Sequence, residues 1–242
     1  MSIKNLVFLF LSFFVLFSVA PETVVAQEKE NKNEWRFGAE IYLWGASVGG
    51  QTGSGSNIDV DFDDLLKNLE LGFMGVIGAR KGKWSLFADA IYMDVKDSTN
   101  VVAGLKLTGE LKAWVVTPAV GYNLLETNRV RFDVLGGARY LYLKTDLQLS
   151  SLRATDSNSF WDGIVGLKGH VNLTEKWYLP FYADIGTGQT KLTWQALGGI
   201  GYRFKWFALN AGYRYMRYDF DSDEAVDDLT LHGPFAGIKF EF

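Results

Sequence analysis

The chain has no cysteine, which removes disulfides and any cysteine that could carry a lipid anchor. It has four prolines and two histidines, so few residues break strands and few can act as a general base near neutral pH. Basic runs are missing as well. With a net charge of −4 and a pI near 5.3, the chain lacks the footprint of a nucleic-acid binder. Past Glu34 no helical stripe is sustained, and nothing there approaches the eighteen consecutive apolar residues of a membrane-spanning helix. In plentiful supply are aromatics, at 15%, and glycine, with 26 residues where ordinary usage of roughly 7% gives about 17.

The chain opens on "MSIKNLVFLFLSFFVLFSVAPETVVAQ", with Lys4 ahead of an apolar stretch from Leu6 to Ala20. This pattern predicts a secretory signal peptide, too short for a comfortable transmembrane helix. Ser18-Val19-Ala20 and Val24-Val25-Ala26 compete as cleavage sites. The first would leave Pro21 at the new terminus, which signal peptidase tolerates badly, so the reading is a signal peptide over 1–26 and one domain over 27–242.

Beyond Glu34 the dominant signal is alternation. Trp35, Phe37, Ala39, Ile41 and Leu43 are separated by Arg36, Gly38, Glu40 and Tyr42. "VRFDVLGGARYLY" sets Val130, Phe132, Val134, Ala138, Tyr140 and Tyr142 against Arg131, Asp133, Gly137 and Arg139. "KLTWQALGGIGYRF" sets Leu192, Trp194, Ala196, Ile200, Tyr202 and Phe204 against Thr193, Gln195, Gly199, Gly201 and Arg203. A soluble sandwich would bury its apolar face and cover the other with Thr, Lys and Glu. Here the less apolar face is glycine and isolated charge, as in a crowded lumen, and aromatics collect at strand ends.

A charge followed by Trp opens four strands, at Trp35, Trp84, Trp177 and Trp206, the expected aromatic girdle. Tight hairpins ("ARKGKW", "NLTEKW", "RFKWF", "LETNRV") alternate with longer connections ("GGQTGSGSNIDVDFDDLLKN", "KDSTNVVAG", "SSLRATDSNS", "DSDEAVDD"), as in barrels whose short turns are periplasmic; "GTGQT" breaks that rule. The strands read as 35–48, 69–80, 83–95, 105–123, 129–147, 160–173, 177–186, 190–204, 206–220 and 228–242. This predicts an all-β transmembrane antiparallel up-and-down β-barrel of about ten strands, eight being possible.

The final strand, "HGPFAGIKFEF", places Pro234, Ala236, Ile238, Phe240 and Phe242 on one face, with Lys239 and Glu241 inward. It resembles the C-terminal signature by which bacterial outer-membrane barrels are recognised by their assembly machinery, which makes Phe242, Phe240 and Ile238 an expected assembly signal. "YLWGASVGG", "FMGVIGARKGKWSLFADAIYMDV", "LTWQALGGIGYRF", "AGYRYMRYDF" and "HGPFAGIKF" together resemble a family of small, largely uncharacterised Gram-negative outer-membrane β-barrel proteins. The resemblance covers the mature chain and implies location and architecture. It implies no activity.

Alternation turns Glu40, Arg80, Asp89, Asp133, Arg139, Asp162, Lys168, Asp184, Arg203 and Arg214 into the lumen, together with Arg36, Arg131 and Lys239. The signs are roughly balanced. Ion pairing would close the lumen, so a structural or surface-interaction barrel is expected first and a narrow porin-like channel second. A lipid- or peptide-modifying enzyme is third, with His232 as its only reasonable base, because "TLHGPF" offers no neighbouring Ser; His170 falls in the lumen. Asp59, Asp61, Asp63 and Glu70 sit at calcium-loop spacing, but Asp64 replaces the glycine of the turn, and Ile58, Val60 and Phe62 favour a strand entering a helical turn. "YDFDSDEAVDD" reads as a solvated loop tip. The expected partners are outer-membrane lipids, lipopolysaccharide and the barrel assembly machinery, for a monomer with no cofactor, no metal and no nucleic acid.

Overall fold

The computed structural model describes residues 34–52, 55, 57–100, 106–149, 152–221 and 226–242. The signal peptide, its cleavage site and Gln27 lie outside them. Among the described residues twelve strands and one short helix follow in order: β1 Arg36–Trp44, β2 Ser47–Thr52, β3 Asn57–Val60, α1 Phe62–Asn68, β4 Leu69–Lys81, β5 Trp84–Asn100, β6 Lys106–Glu126, β7 Val130–Leu149, β8 Leu152–Asn172, β9 Trp177–Gly188, β10 Leu192–Arg203, β11 Ala208–Asp219 and β12 Val226–Glu241.

Ten of these strands form a closed antiparallel barrel, in which each strand from β4 to β12 pairs with its sequence neighbour and β1 pairs with both β4 and β12. Closure runs Gly38↔Glu241 to Trp44↔Phe235. Phe37 and Phe242 exchange two backbone hydrogen bonds, of 2.8 and 3.0 Å, and their rings stack at 6.4 Å. The terminal Phe242 therefore lies against the first strand, and the barrel has no free seam there.

Side chains alternate along the strands, apart from register shifts at Leu69/Leu71, Asn123/Leu125 and Val226/Asp228. Burial picks out the inward set, such as Arg131, Asp133, Leu135, Arg139 and Leu141 on β7, while Leu43, Ile77, Val165 and Ile185 are among the most exposed apolar side chains. The short turns at 82–83, 127–129, 173–176 and 204–207 share one end with the C-terminus, called here the turn end; the other is the loop end. In the β4–β5 turn Gly82 has φ +58°, which L side chains rarely adopt.

Two expectations change at the loop end. The first strand, read as 35–48, breaks at Gly45-Ala46; β2 continues along β12 from His232↔Ser47 to Val226↔Thr52, and β3 folds back on β2. Next, α1 begins at Phe62, with Asp63 and Asp64 in its first turn, where the helix dipole favours acids, and Lys67 bonded to Asp64 at 2.9 Å. This is the strand entering a helical turn that Ile58, Val60 and Phe62 favoured, and Asp59, Asp61 and Asp63 are exposed. The second change concerns length. "KDSTN" and most of "SSLRATDSNS", read as loops, are strand, so that β6, β7 and β8 run for 21, 20 and 21 residues while β9, β10 and β11 run for 12 each. In β8 the stretch from Thr155 to Ser159 is exposed on both faces and polar, so no apolar alternation marks it as strand.

Candidate functional site

The middle of the lumen is crossed by a connected polar chain. Arg139 on β7 is fully buried; it donates to Thr193 Oγ1 at 2.9 Å, to Thr117 Oγ1 at 3.4 Å and to Asp184 Oδ2 at 2.5 Å. Gln195 donates to the same Asp184 oxygen at 2.8 Å and accepts from Arg214 Nε at 3.0 Å. Arg214 in turn donates to Asp89 Oδ2 at 2.7 Å and to the Tyr42 hydroxyl at 2.7 Å, and Tyr42 donates to Asp89 Oδ1 at 2.6 Å. The chain thus joins β1, β5, β6, β7, β9, β10 and β11, with the Arg214 guanidinium 4.9 Å from the Trp44 ring. Charges at this depth hold only when paired and hydrogen-bonded.

On the loop side of this layer the lumen is apolar. Tyr42, Trp44, Ile91, Val115, Leu141, Phe160, Met216, Tyr218, Phe220, Leu231 and Phe235 form one buried cluster. Leu141, Met216 and Tyr218 are exposed by 1% or less. This cork has the packing of a soluble core, placed inside a barrel.

The remaining expected lumen residues do not join the central chain. Asp162 is the register partner of Arg139, yet it accepts from the backbone N–H and hydroxyl of Thr190, both at 2.9 Å, and ties down the β9–β10 turn. Asp133 pairs with Arg131 at 3.2 Å and accepts from Asn123 at 2.6 Å near the turn end. Arg80 reaches Glu126 at 3.4 Å. Glu40 accepts from Asn210 at 2.9 Å. Arg203 bonds Asn172 at 2.9 Å and lies 4.1 Å from the Tyr178 ring. Lys168 lies over Phe87. The neutral members Tyr42, Thr117, Thr193 and Gln195 were not singled out in the sequence as site residues; their inward parity was the available signal.

No protein-family model and no curated protein matches the chain. Among solved structures it is similar to the outer membrane protease OmpT of Escherichia coli, at TM-score 0.51 and 10% identity over 86% of this chain and 97% of that one. It also matches the transport unit of the autotransporter AIDA-I of Escherichia coli (TM-score 0.45, 9% identity, 90% and 93% covered). A third match is Ail, the attachment invasion locus protein of Yersinia pestis (TM-score 0.41, 12% identity, 87% and 99% covered). The chain has the fold of a bacterial outer-membrane β-barrel.

The outer face of this outer-membrane barrel carries two aromatic belts. At the turn end Trp35, Trp84, Trp177 and Trp206 are all exposed, and Trp84 and Trp177 pack edge-on against Tyr122 and Tyr202 at 4.9 and 4.8 Å. Towards the loop end Tyr92–Trp114, Tyr140–Trp161 and Trp194–Tyr215 form a second belt, with rings 4.5 to 4.8 Å apart. Trp84 and Tyr92, Trp114 and Tyr122, and Trp194 and Tyr202 each stand eight residues apart on one strand. Eight residues span roughly 26 Å along a strand, or about 20 Å along the barrel axis at a tilt near 40°.

Between the belts no described outward position is Asp, Glu, Lys or Arg. Two residues beyond the second belt charge begins, with Lys112 bonded to Asp94 at 3.2 Å and to Glu110 at 2.7 Å, and Arg217 to Asp219 at 2.8 Å. His232 faces outward level with the second belt, as the register partner of Tyr215; its Nδ1 is 2.8 Å from the Tyr213 hydroxyl, and its ring stacks on Tyr215. Ser47 is its register partner on β2, but among the described residues its side chain makes no hydrogen bond to Ser or Asp, and no group of three His, Asp or Glu side chains could hold a metal ion.

Proposed function

We propose that the protein is exported to the bacterial outer membrane, spans it between the two aromatic belts with its turn end in the periplasm, and serves as a closed barrel with a structural or surface-interaction role. The observation that carries this reading is the polar chain from Thr117 to Tyr42, which crosses the lumen through two buried Arg-carboxylate pairs beneath an apolar cork. A water path would have to break both layers. The Tyr213 contact of His232 supports an interfacial anchor in place of a catalytic base. The raised strands β5–β8 supply the surface on the outside. The test is single-channel recording of the refolded protein in planar bilayers, where the expected result is no steady conductance. A stable wild-type channel would replace this reading with the narrow-channel one.

A further inference from the structure

Lys168 ignores the carboxylate set opposite it. Its register partner on β7 is Asp133, and both side chains turn inward, yet the ammonium lies 3.8 Å from the centroid of the Phe87 ring, three strands along on β5. Among the described residues it makes no hydrogen bond or ion pair. The reach is possible because β6 has a glycine where the side chain passes. A Cβ on Gly121 would fall 3.5 Å from Lys168 Cε and 2.5 Å from Ser85 Oγ.

The groups that line this niche are short of an acceptor. The Ser85 hydroxyl is buried and has no hydrogen-bond partner among the described residues; the same is true of Arg131 Nη2. Arg80, the register partner of Ser85, also turns inward and holds Glu126 only loosely, at 3.4 Å. Arg131 spends its other nitrogens on Glu126 at 2.9 Å and Asp133 at 3.2 Å. Four cations, Arg80, Arg131, Lys168 and Lys239, thus face three carboxylates, Glu126, Asp133 and Glu241, with Lys239 and Glu241 paired to each other at 2.6 Å. One positive charge and two donors are left over, in a wall where buried donors are normally satisfied.

We propose that this niche binds one small oxyanion, the carboxylate or phosphate group of a solute, with Lys168 and Ser85 as its direct donors and Arg80 and Arg131 supplying the field. The site faces the lumen on the turn side of the central layer, so a lipid headgroup cannot reach it from the bilayer. On the orientation proposed above the solute arrives from the periplasm, but binding itself does not depend on that orientation or on a closed lumen.

The full barrel, refolded in detergent and checked by gel shift on heating, would be titrated with inorganic phosphate and separately with acetate, against chloride at matched ionic strength, by calorimetry and thermal unfolding. At least one oxyanion should bind with saturation at about one per barrel and raise the unfolding midpoint. Lys168→Gln should weaken that binding by about tenfold or more, and Gly121→Ala, which fills the niche, should abolish it. Should either variant fail to fold, Ser85→Ala, which removes one oxygen, is expected to weaken binding severalfold. Absence of saturable binding by both oxyanions, or binding unchanged in the variants that fold, would overturn the proposal.

Discussion

Arg139 has no exposed surface, and its carboxylate partner comes from β9, not from the strand beside it. Truncating it to Ala leaves Asp184 charged and buried with only Gln195 for company, a loss of about 3–5 kcal/mol. The expected outcome for Arg139→Ala is a clear drop in the temperature at which the folded band on a detergent gel converts to the heated form. The double change Arg139→Leu with Asp184→Leu should recover much of that drop, since it removes both charges and keeps volume. In the apolar cork, Leu141→Ala should cost about 2–5 kcal/mol by the same readout. Charge on the inward parity was legible in the sequence for Arg139, Arg214, Asp89 and Asp184, because an isolated charge stands out among glycines. Which acid meets which base was not. Arg139 passes over its register partner Asp162, a choice set by barrel diameter and strand tilt, to which a single strand's pattern is blind. Alternation put Thr193 and Gln195 on the inward face, but a neutral polar side chain carries no mark that it will bridge the charges, and the same holds for Thr117.

At the scale of the strand, the apolar alternation located all ten barrel strands where one face meets lipid and the other the lumen. It stopped reporting where both faces meet water, which is why β8 begins at Leu152 in the structure and near 160 in the sequence reading. The β2–β3 hairpin was hidden for a related reason. Its segment "GGQTGSGSNIDV" is dominated by glycine and small polar residues, and only "NIDV" alternates. The Trp positions make a direct prediction. In single-Trp variants reconstituted in lipid, Trp84 and Trp114 should be quenched equally by a brominated lipid label near the headgroups and less by one at the bilayer centre. Quenching of either that peaked at the centre would displace the belts. On the last strand, removal of Phe242 takes away two backbone bonds and one ring stack at the closing seam. Assembly into the outer membrane should fall more than synthesis does, measured as the ratio of folded to total protein; an unchanged ratio would remove Phe242 from the assembly signal.

For the molecule as a whole, export and closure are the two properties to measure. N-terminal sequencing of protein recovered from outer membranes should return Gln27, and Pro21 or Met1 would correct the cleavage assignment. The height of the wall, meanwhile, is unequal around its circumference. β6, β7 and β8 outrun β9, β10 and β11 by eight or nine residues, about 26–30 Å along a strand. Above Trp161, which bonds Gln189 through its carbonyl and its N–H, the far edge of β8 has no strand partner among the described residues, and its sequence there is mostly polar. A barrel of even height looks the same from every azimuth. This one has a screen on one flank and a low sill on the other, so in the proposed orientation a large molecule diffusing across the cell surface would meet a directional object: it could approach over the sill and be turned back at the screen. Neighbouring copies in a crowded membrane would therefore be sensitive to how they are rotated about the bilayer normal, a degree of freedom that a symmetric cylinder leaves idle.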